Sequence, residues 1–270
     1  MLKRALSIFV FLVYPFLLTC NVDHGLAPLP GTLVLTVKFI GTAPAKTQGI
    51  YVTVAPHFPP HAINEVYHSP NSLPIDRDSV YTEIVLPYGH YDSIALWWYS
   101  NEVEANLADV LSIPYDPWKL EPRGFDITPE TPVYVMPITV NWANVDRDAA
   151  IEGTVTFSGP FPDDTEITAV AAYKKKPEKK FEYLLYLKSI DFSIDKNENP
   201  YHYRLPVVSG SVQYVAVFWL PDKAGLTDFR TVGFYRDPND PDKPKRLNPA
   251  KGQEIKNIDI YADWSSLEEE

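Results

Sequence analysis

His57 and His61 flank Phe58-Pro59-Pro60, with His68 close behind, so imidazoles with zinc-binding chemistry share one connection. Zinc ligands need a rigid scaffold and supporting outer groups, which a Pro-Pro loop does not offer, so solvated loop histidines are expected. Asp195, Asn197 and Asn199 set side-chain oxygens at alternate positions, as at the start of a calcium loop. The EF-hand continues with Gly and a bidentate Glu where this chain has Pro200 and Pro206, so an Asx-type turn is expected instead. The densest acid cluster, Asp237-Pro238-Asn239-Asp240-Pro241-Asp242-Lys243-Pro244, reads as a stiff solvated loop, with a weak surface calcium site as the alternative. No Gly-x-Ser-x-Gly elbow, His-Glu-x-x-His or phosphate loop occurs, and the pair Asp163-Asp164 lies in a turn where solvation cannot tune an acid and a base apart. No catalytic residue, metal or cofactor is assigned. A non-enzymatic role is expected, with an envelope hydrolase built from dispersed residues as an alternative.

Aromatic residues offer a different chemistry. The chain has 6 Trp and 17 Tyr, many for a net charge of −11, and sugar rings stack on exposed aromatic faces. Alternation along a strand puts Ile94, Leu96 and Trp98 on one face, and Val215, Val217 and Trp219 repeat the pattern; all are assigned to the core. The opposite face carries Ala95, Trp97, Ala216 and Phe218, which is too apolar for open solvent. It must be covered by loops, by a neighbouring domain or by a ligand. Trp97 and Trp118 are the candidate ligand-binding residues, with core or interdomain packing as the competing explanation for the apolar face.

The elements that must position these residues follow from composition. Across 270 residues, hydrophobic side chains are 45% and charged ones 22%, enough apolar surface for a real core. The 26 Pro cannot be housed in long helices without breaking them, which excludes a helical bundle. A net charge of −11 repels a phosphate backbone, so nucleic acid is not expected as a partner. A single cysteine excludes an intrachain disulfide and a four-thiolate zinc site.

The chain also repeats itself at a period of about 120 residues, the size of a duplicated domain. Val37-Lys38-Phe39-Ile40-Gly41 matches Val155-Thr156-Phe157-Ser158-Gly159, Leu86-Pro87 matches Leu205-Pro206, and Ile94 to Trp98 matches Val215 to Trp219. Asp116-Pro117 falls on Asp237-Pro238, and each unit closes on an alternating segment, Val133 to Trp142 and Ile255 to Trp264. Period-two alternation between turn signals predicts an all-β chain of two tandem Ig-like or prealbumin-like β-sandwich domains after an N-terminal signal helix, residues 31–146 and 147–270. Beyond the signal, helix is expected at most as a turn near Glu102 to Leu111.

Tyr81-Thr82-Glu83-Ile84-Val85-Leu86-Pro87-Tyr88-Gly89-His90-Tyr91 resembles the Leu-Pro-x-Gly-x-Tyr signature of carboxypeptidase regulatory-like domains. The resemblance implies a prealbumin-like (transthyretin-like) sandwich acting as an accessory or binding module. In this pattern Leu-Pro ends a strand, Gly89 takes a positive φ in a tight turn, and the next strand pairs back with Tyr91 facing inward. The second unit departs from it, with Val212 in place of the tyrosine.

Residues 1–19 carry Lys3 and Arg4 before an apolar run too short to span a bilayer comfortably, the plan of a secretory signal peptide. Leu17-Leu18-Thr19-Cys20 resembles the lipobox of bacterial lipoproteins, with Thr19 where small Gly, Ala or Ser is usual. The resemblance implies lipidation of Cys20, a tether over 20–30, and a membrane partner through the lipid anchor. An exported protein at the outer membrane or periplasmic face of the bacterial envelope is expected, acting as a binding or structural module on an envelope protein or a glycan.

Overall fold

The computed structural model describes residues 30–60, 65–101, 105–195, 197–222, 224 and 228–267. The signal segment, Cys20 and most of the tether therefore lie outside the described residues, as do His61, Glu102 and Lys196.

Two β-sandwiches account for nearly all of the structure. The first half contains β1 (Pro30–Ile40), β2 (Gly49–Ala55), β3 (Tyr67–His68), β4 (Ser79–Pro87), β5 (Gly89–Tyr91), β6 (Ser93–Tyr99), β7 (Val110–Ser112), β8 (Tyr115–Asp116), β9 (Glu121–Pro122), β10 (Phe125–Ile127) and β11 (Val133–Asn141). The second contains β12 (Ala149–Ser158), β13 (Thr165–Tyr173), α1 (Glu182–Leu185), β14 (Leu187–Asp191), β15 (Tyr201–Val207), β16 (Tyr214–Pro221), β17 (Arg230–Phe234), β18 (Arg236–Asp237), β19 (Asp240–Pro244), β20 (Glu254–Ile255) and β21 (Ile260–Asp263).

The duplication read from the sequence is a duplication of topology. One sheet of the first half runs β11-β1-β4, with β1 antiparallel to β4 and parallel to β11. Its counterpart places β12 antiparallel to β15 and parallel to β20 and β21. The facing sheets run β3-β2-β6-β7 and β14-β13-β16-β17. Even the irregularity is copied: pairing slips between Leu96 and Trp97 in one and between Val217 and Phe218 in the other. A hairpin follows in each, β8-β9 and β18-β19.

Alternation explains the cores. Leu33, Leu35, Val37 and Phe39 of β1 point inward, where they meet Val52 and Val54 of β2 and Ile94, Leu96 and Trp98 of β6. In the second half Ile151 and Val155 of β12 meet Val170, Val215, Val217 and Trp219. Each such side chain, withdrawn from water, contributes about 1.5–3 kcal/mol. Between Ile151 and Val155 sits Gly153, where an added Cβ would come within 2.1 Å of the Ile258 carbonyl oxygen, so the close approach of the last segment requires glycine. The six core residues assigned from alternation are all buried.

Polar details repeat as well. The Trp98 indole N–H donates to Thr47 Oγ1 at 2.8 Å, and that of Trp219 to Thr165 Oγ1 at 2.8 Å. Phe39 stacks on Trp142 at 5.3 Å and Phe157 on Trp264 at 5.2 Å.

Two local expectations change and one holds. Gly89 has no positive φ, because the chain after Pro87 does not turn back on β4. It crosses instead, with Gly89 opposite Ile127 and Tyr91 opposite Phe125 on β10. Tyr91 faces inward as expected, donating its hydroxyl to the Pro87 carbonyl at 2.7 Å, and burial pushes that hydroxyl up to about 12. The turn near Leu111 is a single 3-10 turn at Leu107–Asp109, capped by Asn106. The helix α1 was not expected, since four residues are too few to register as a 3.6-residue periodicity.

Replacing Thr47 or Thr165 by Val removes the acceptor of a buried indole N–H. Each variant should lose about 1–3 kcal/mol in urea unfolding. A cost confined to one half would show that the shared hydrogen bond does different work in the two repeats.

Candidate functional site

Trp118 is 92% exposed, more than any other large hydrophobic side chain among the described residues. It sits at the tip of the β8-β9 hairpin, where Asp116 Oδ1 accepts the main-chain N–H groups of Trp118 at 2.8 Å and Lys119 at 3.2 Å. Those two bonds hold the Asp116 carboxyl below its usual range. The β18-β19 hairpin makes the same turn, with Asp237 Oδ1 accepting the Asn239 N–H at 3.0 Å. Asn239 is the repeat equivalent of Trp118, so the turn does not need an indole there. Trp97, the other candidate, is half-buried, and its indole N–H donates to Thr53 Oγ1 at 2.9 Å. Its repeat partner Phe218 is fully covered by Tyr173, Tyr183 and Phe229. The apolar face of β16 is thus packing, and Trp97 occupies the equivalent, less completely covered place in the first half.

Tyr115, on the hairpin strand that leads to Trp118, lines a cleft of about 530 Å³ between the two halves. Leu111, Ile113, Leu184 and Leu185 supply apolar surface, and Lys174 and Lys188 bring positive charge. Lys188 Nζ donates to the Val208 carbonyl at 2.9 Å and lies 3.5 Å from that of Ser209. Burial and the neighbouring Lys174 hold the Lys188 ammonium below its usual range. A volume of this size falls within the range of small-ligand sites.

The 3-10 turn at Leu107–Asp109 contributes Ala108 to the cleft lining. Leu107 packs against the outer apolar cluster of the second half, and Asn106 Nδ2 donates to the Ile190 carbonyl at 2.7 Å. Behind it, Asp109 accepts from Arg147 in an ion pair with both side chains 6% exposed. Removing either partner of such a pair costs about 3–5 kcal/mol, because the other charge stays buried alone. A second cleft, about 770 Å³, lies on the Asn106 side and includes Lys46, Trp98, Asp191 and Phe192.

The cleft wall formed by α1 depends on Glu182, a carboxylate in a residue only 3% exposed. It accepts the N–H groups of Glu178 at 2.7 Å and Lys179 at 3.1 Å, and the Tyr186 hydroxyl at 3.1 Å. Burial pushes this carboxyl up, but the three donors outweigh it and hold it below the usual carboxylate range.

The remaining sequence candidates do not converge. Among the described residues no group of three His, Cys, Asp or Glu side chains has metal-binding geometry. His57 and His68 are exposed, and His68 pairs with Thr53 in a strand. Asp195 accepts the Asn197 N–H at 2.8 Å in an Asx turn, while the Asn199 side chain bonds both backbone groups of Phe157. Two features were not singled out from sequence. His90 is held between Asp126 at 2.8 Å and Asp92 at 3.1 Å, and these bonds, Asp126 first, raise its pKa. With both ring nitrogens engaged, it serves as a surface clamp. The other is the lysine-rich segment from Lys174 to Lys180, visible as a charge run but not tied to any site.

No protein-family model matches the chain, and no curated protein matches its sequence. Among solved structures, a leucine-rich repeat protein from Bacteroides thetaiotaomicron aligns at 10% identity with a TM-score of 0.35, covering 87% of this chain and 26% of that one. The Bacillus anthracis TIE protein aligns at 9% identity with a TM-score of 0.23, covering 86% and 34%. A streptococcal ancillary pilin aligns at 10% and 0.20, covering 86% and 62%. The chain therefore spans about a quarter and a third of the first two structures, and likeness at this level transfers no function.

Because the folded pKa of Glu182 is depressed, its stabilising contribution is complete above the unfolded carboxylate value and is lost as pH falls through the folded one. Amide exchange over residues 178–186 should therefore accelerate, relative to the β-sheet core, as pH falls below the ordinary carboxylate range. A segment equally protected at neutral and acid pH would remove Glu182 as its anchor.

Proposed function

We propose that this chain is a non-enzymatic binding protein of the cell envelope, tethered through lipidated Cys20, with two tandem modules over 31–146 and 147–270. Its ligand is a glycan, held by the Trp118 hairpin and the cleft beside it. The observation that carries this reading is the exposed indole at a position where the duplicated hairpin does with Asn239. A large apolar side chain in water contributes nothing to folding, and tryptophan leads the residues that dominate binding when they are covered by a partner. Buried Asp109 and Glu182 support the non-enzymatic part, since each is engaged with structural partners. The lipoprotein assignment rests on the sequence around Cys20.

A protein-binding or assembly role has one observation in its favour. The outer face of β11-β1-β4 exposes Tyr81, Val85, Val133 and Val135, whereas the same face of the second half carries Glu152, Arg204, Glu254 and Lys256 in salt bridges. Lys38 and Glu83 are the charges on the first face, and a sheet face with this many exposed apolar side chains suits a protein partner.

A glycan array probed with the mature protein separates the two. Wild type should bind a restricted set of glycans, and Trp118→Ala should lose at least about tenfold in affinity with an unchanged unfolding curve. Binding that survives Trp118→Ala, or that is absent for every glycan, would leave the apolar sheet face as the functional surface.

A further inference from the structure

Five of the seven residues from Lys174 to Lys180 are lysines, in a chain whose net charge is −11. The segment joins β13 to α1 and forms one lip of the cleft, with Lys174 itself in the lining. The repeat supplies an internal comparison. The equivalent connection after β2, residues 56–66, contains no lysine or arginine, so the fold does not demand this charge. Some of the lysines have structural uses: Lys180 pairs with Asp228 at 2.8 Å, and Lys175 and Lys176 lie over the rings of Tyr186 and Tyr214. Among the described residues Lys174 and Lys179 have no acidic side chain within ion-pair distance. The nearby acids are already engaged, Glu182 by the α1 main chain and Asp148 by the Ser209 N–H at 2.8 Å and hydroxyl at 3.1 Å. Glu178 is the acid within the segment itself.

Lys188 completes the arrangement from the opposite strand. An ammonium has three N–H donors, and two of these face the Val208 and Ser209 carbonyls. A third remains for the cleft. Exposed Lys174 and half-buried Lys188 repel each other, Asp148 offsets part of that repulsion, and an anion between the two ammonium groups would relieve the rest while its ring or hydrocarbon body covers Tyr115 and the leucines.

We propose that the cleft is selective for acidic glycans, with a carboxylate or sulfate group seated between Lys174 and Lys188 and the adjoining sugar ring against Tyr115. This rests on the glycan reading of the same site and adds its charge selectivity. Sequential sugars would continue past the lysine lip toward Trp118. A polymer is favoured over a lipid headgroup because the aromatic hairpin and the cationic cleft share Tyr115, giving one track with stacking surface and charge together.

The test uses the mature protein and polygalacturonate as the carboxylated probe, its fully methyl-esterified form as the neutral one, dextran sulfate as the sulfated one, and vesicles with anionic phosphatidylglycerol as the lipid control. Polygalacturonate or dextran sulfate should bind at least about tenfold more tightly than the methyl ester, with the preference shrinking as salt rises. Lys174→Gln should abolish the preference and Lys174→Arg should keep it, while Trp118→Ala weakens neutral and acidic polymers alike. Lys174 is exposed, so these variants should fold normally. Equal affinity for acidic and neutral polymer, or a preference that survives Lys174→Gln, would overturn the charge assignment and leave the glycan reading standing. Vesicle binding lost in Lys174→Gln would reassign the cleft to lipid headgroups. No polymer binding at all would overturn both readings.

Discussion

A buried ion pair decides how the two halves meet. Asp109 and Arg147 lie out of water at the back of the Leu107–Asp109 turn, and a charge so placed cannot tolerate the loss of its partner. The turn is thereby fixed to the start of the second half, and from that position Leu107 and Asn106 reach the outer surface of β14. The cleft beside Tyr115, the lysine lip and the hairpin carrying Trp118 all take their relation from this contact. The β-sandwiches supply rigidity, since alternating side chains fill the space between two sheets in each half and leave little freedom to the loops they support.

Duplication makes the functional features visible by subtraction. Both repeats need an indole bonded to a threonine, an aromatic stack at the closing strand, and an Asx-capped hairpin, and both have them. The differences are what the fold leaves open: Trp118 where the other has Asn239, five lysines where the other has none, and a sheet face rich in exposed apolar side chains where the other is laced with salt bridges. Differences of this kind are where binding has room to diverge within a shared scaffold.

Much of the scaffold was legible because β-strand burial has a period of two and the repeat doubles every signal. Ile94, Leu96 and Trp98 declared themselves as core, and their partners Val215, Val217 and Trp219 confirmed the phase. The Leu-Pro-x-Gly-x-Tyr string correctly turned Tyr91 inward but misjudged Gly89, because a turn back onto β4 and a crossing toward β10 use the same residues, and partner choice is not local information. The candidate site was half legible. Trp118 stood out by its residue type. The cleft did not, since it brings Tyr115 and Leu111 together with Lys174 and Lys188 from the other repeat. No periodicity encodes that meeting; the clue present in the sequence was a basic run in an acidic chain.

If the hairpin and the cleft form one ligand site, a ligand protects both together. Hydrogen–deuterium exchange of the mature protein, with and without a saturating glycan identified by array, addresses it directly. Joint protection of residues 115–121 and 181–188 is expected, with the outer face of β11-β1-β4 unchanged. Protection confined to that face, or of one segment without the other, would contradict it.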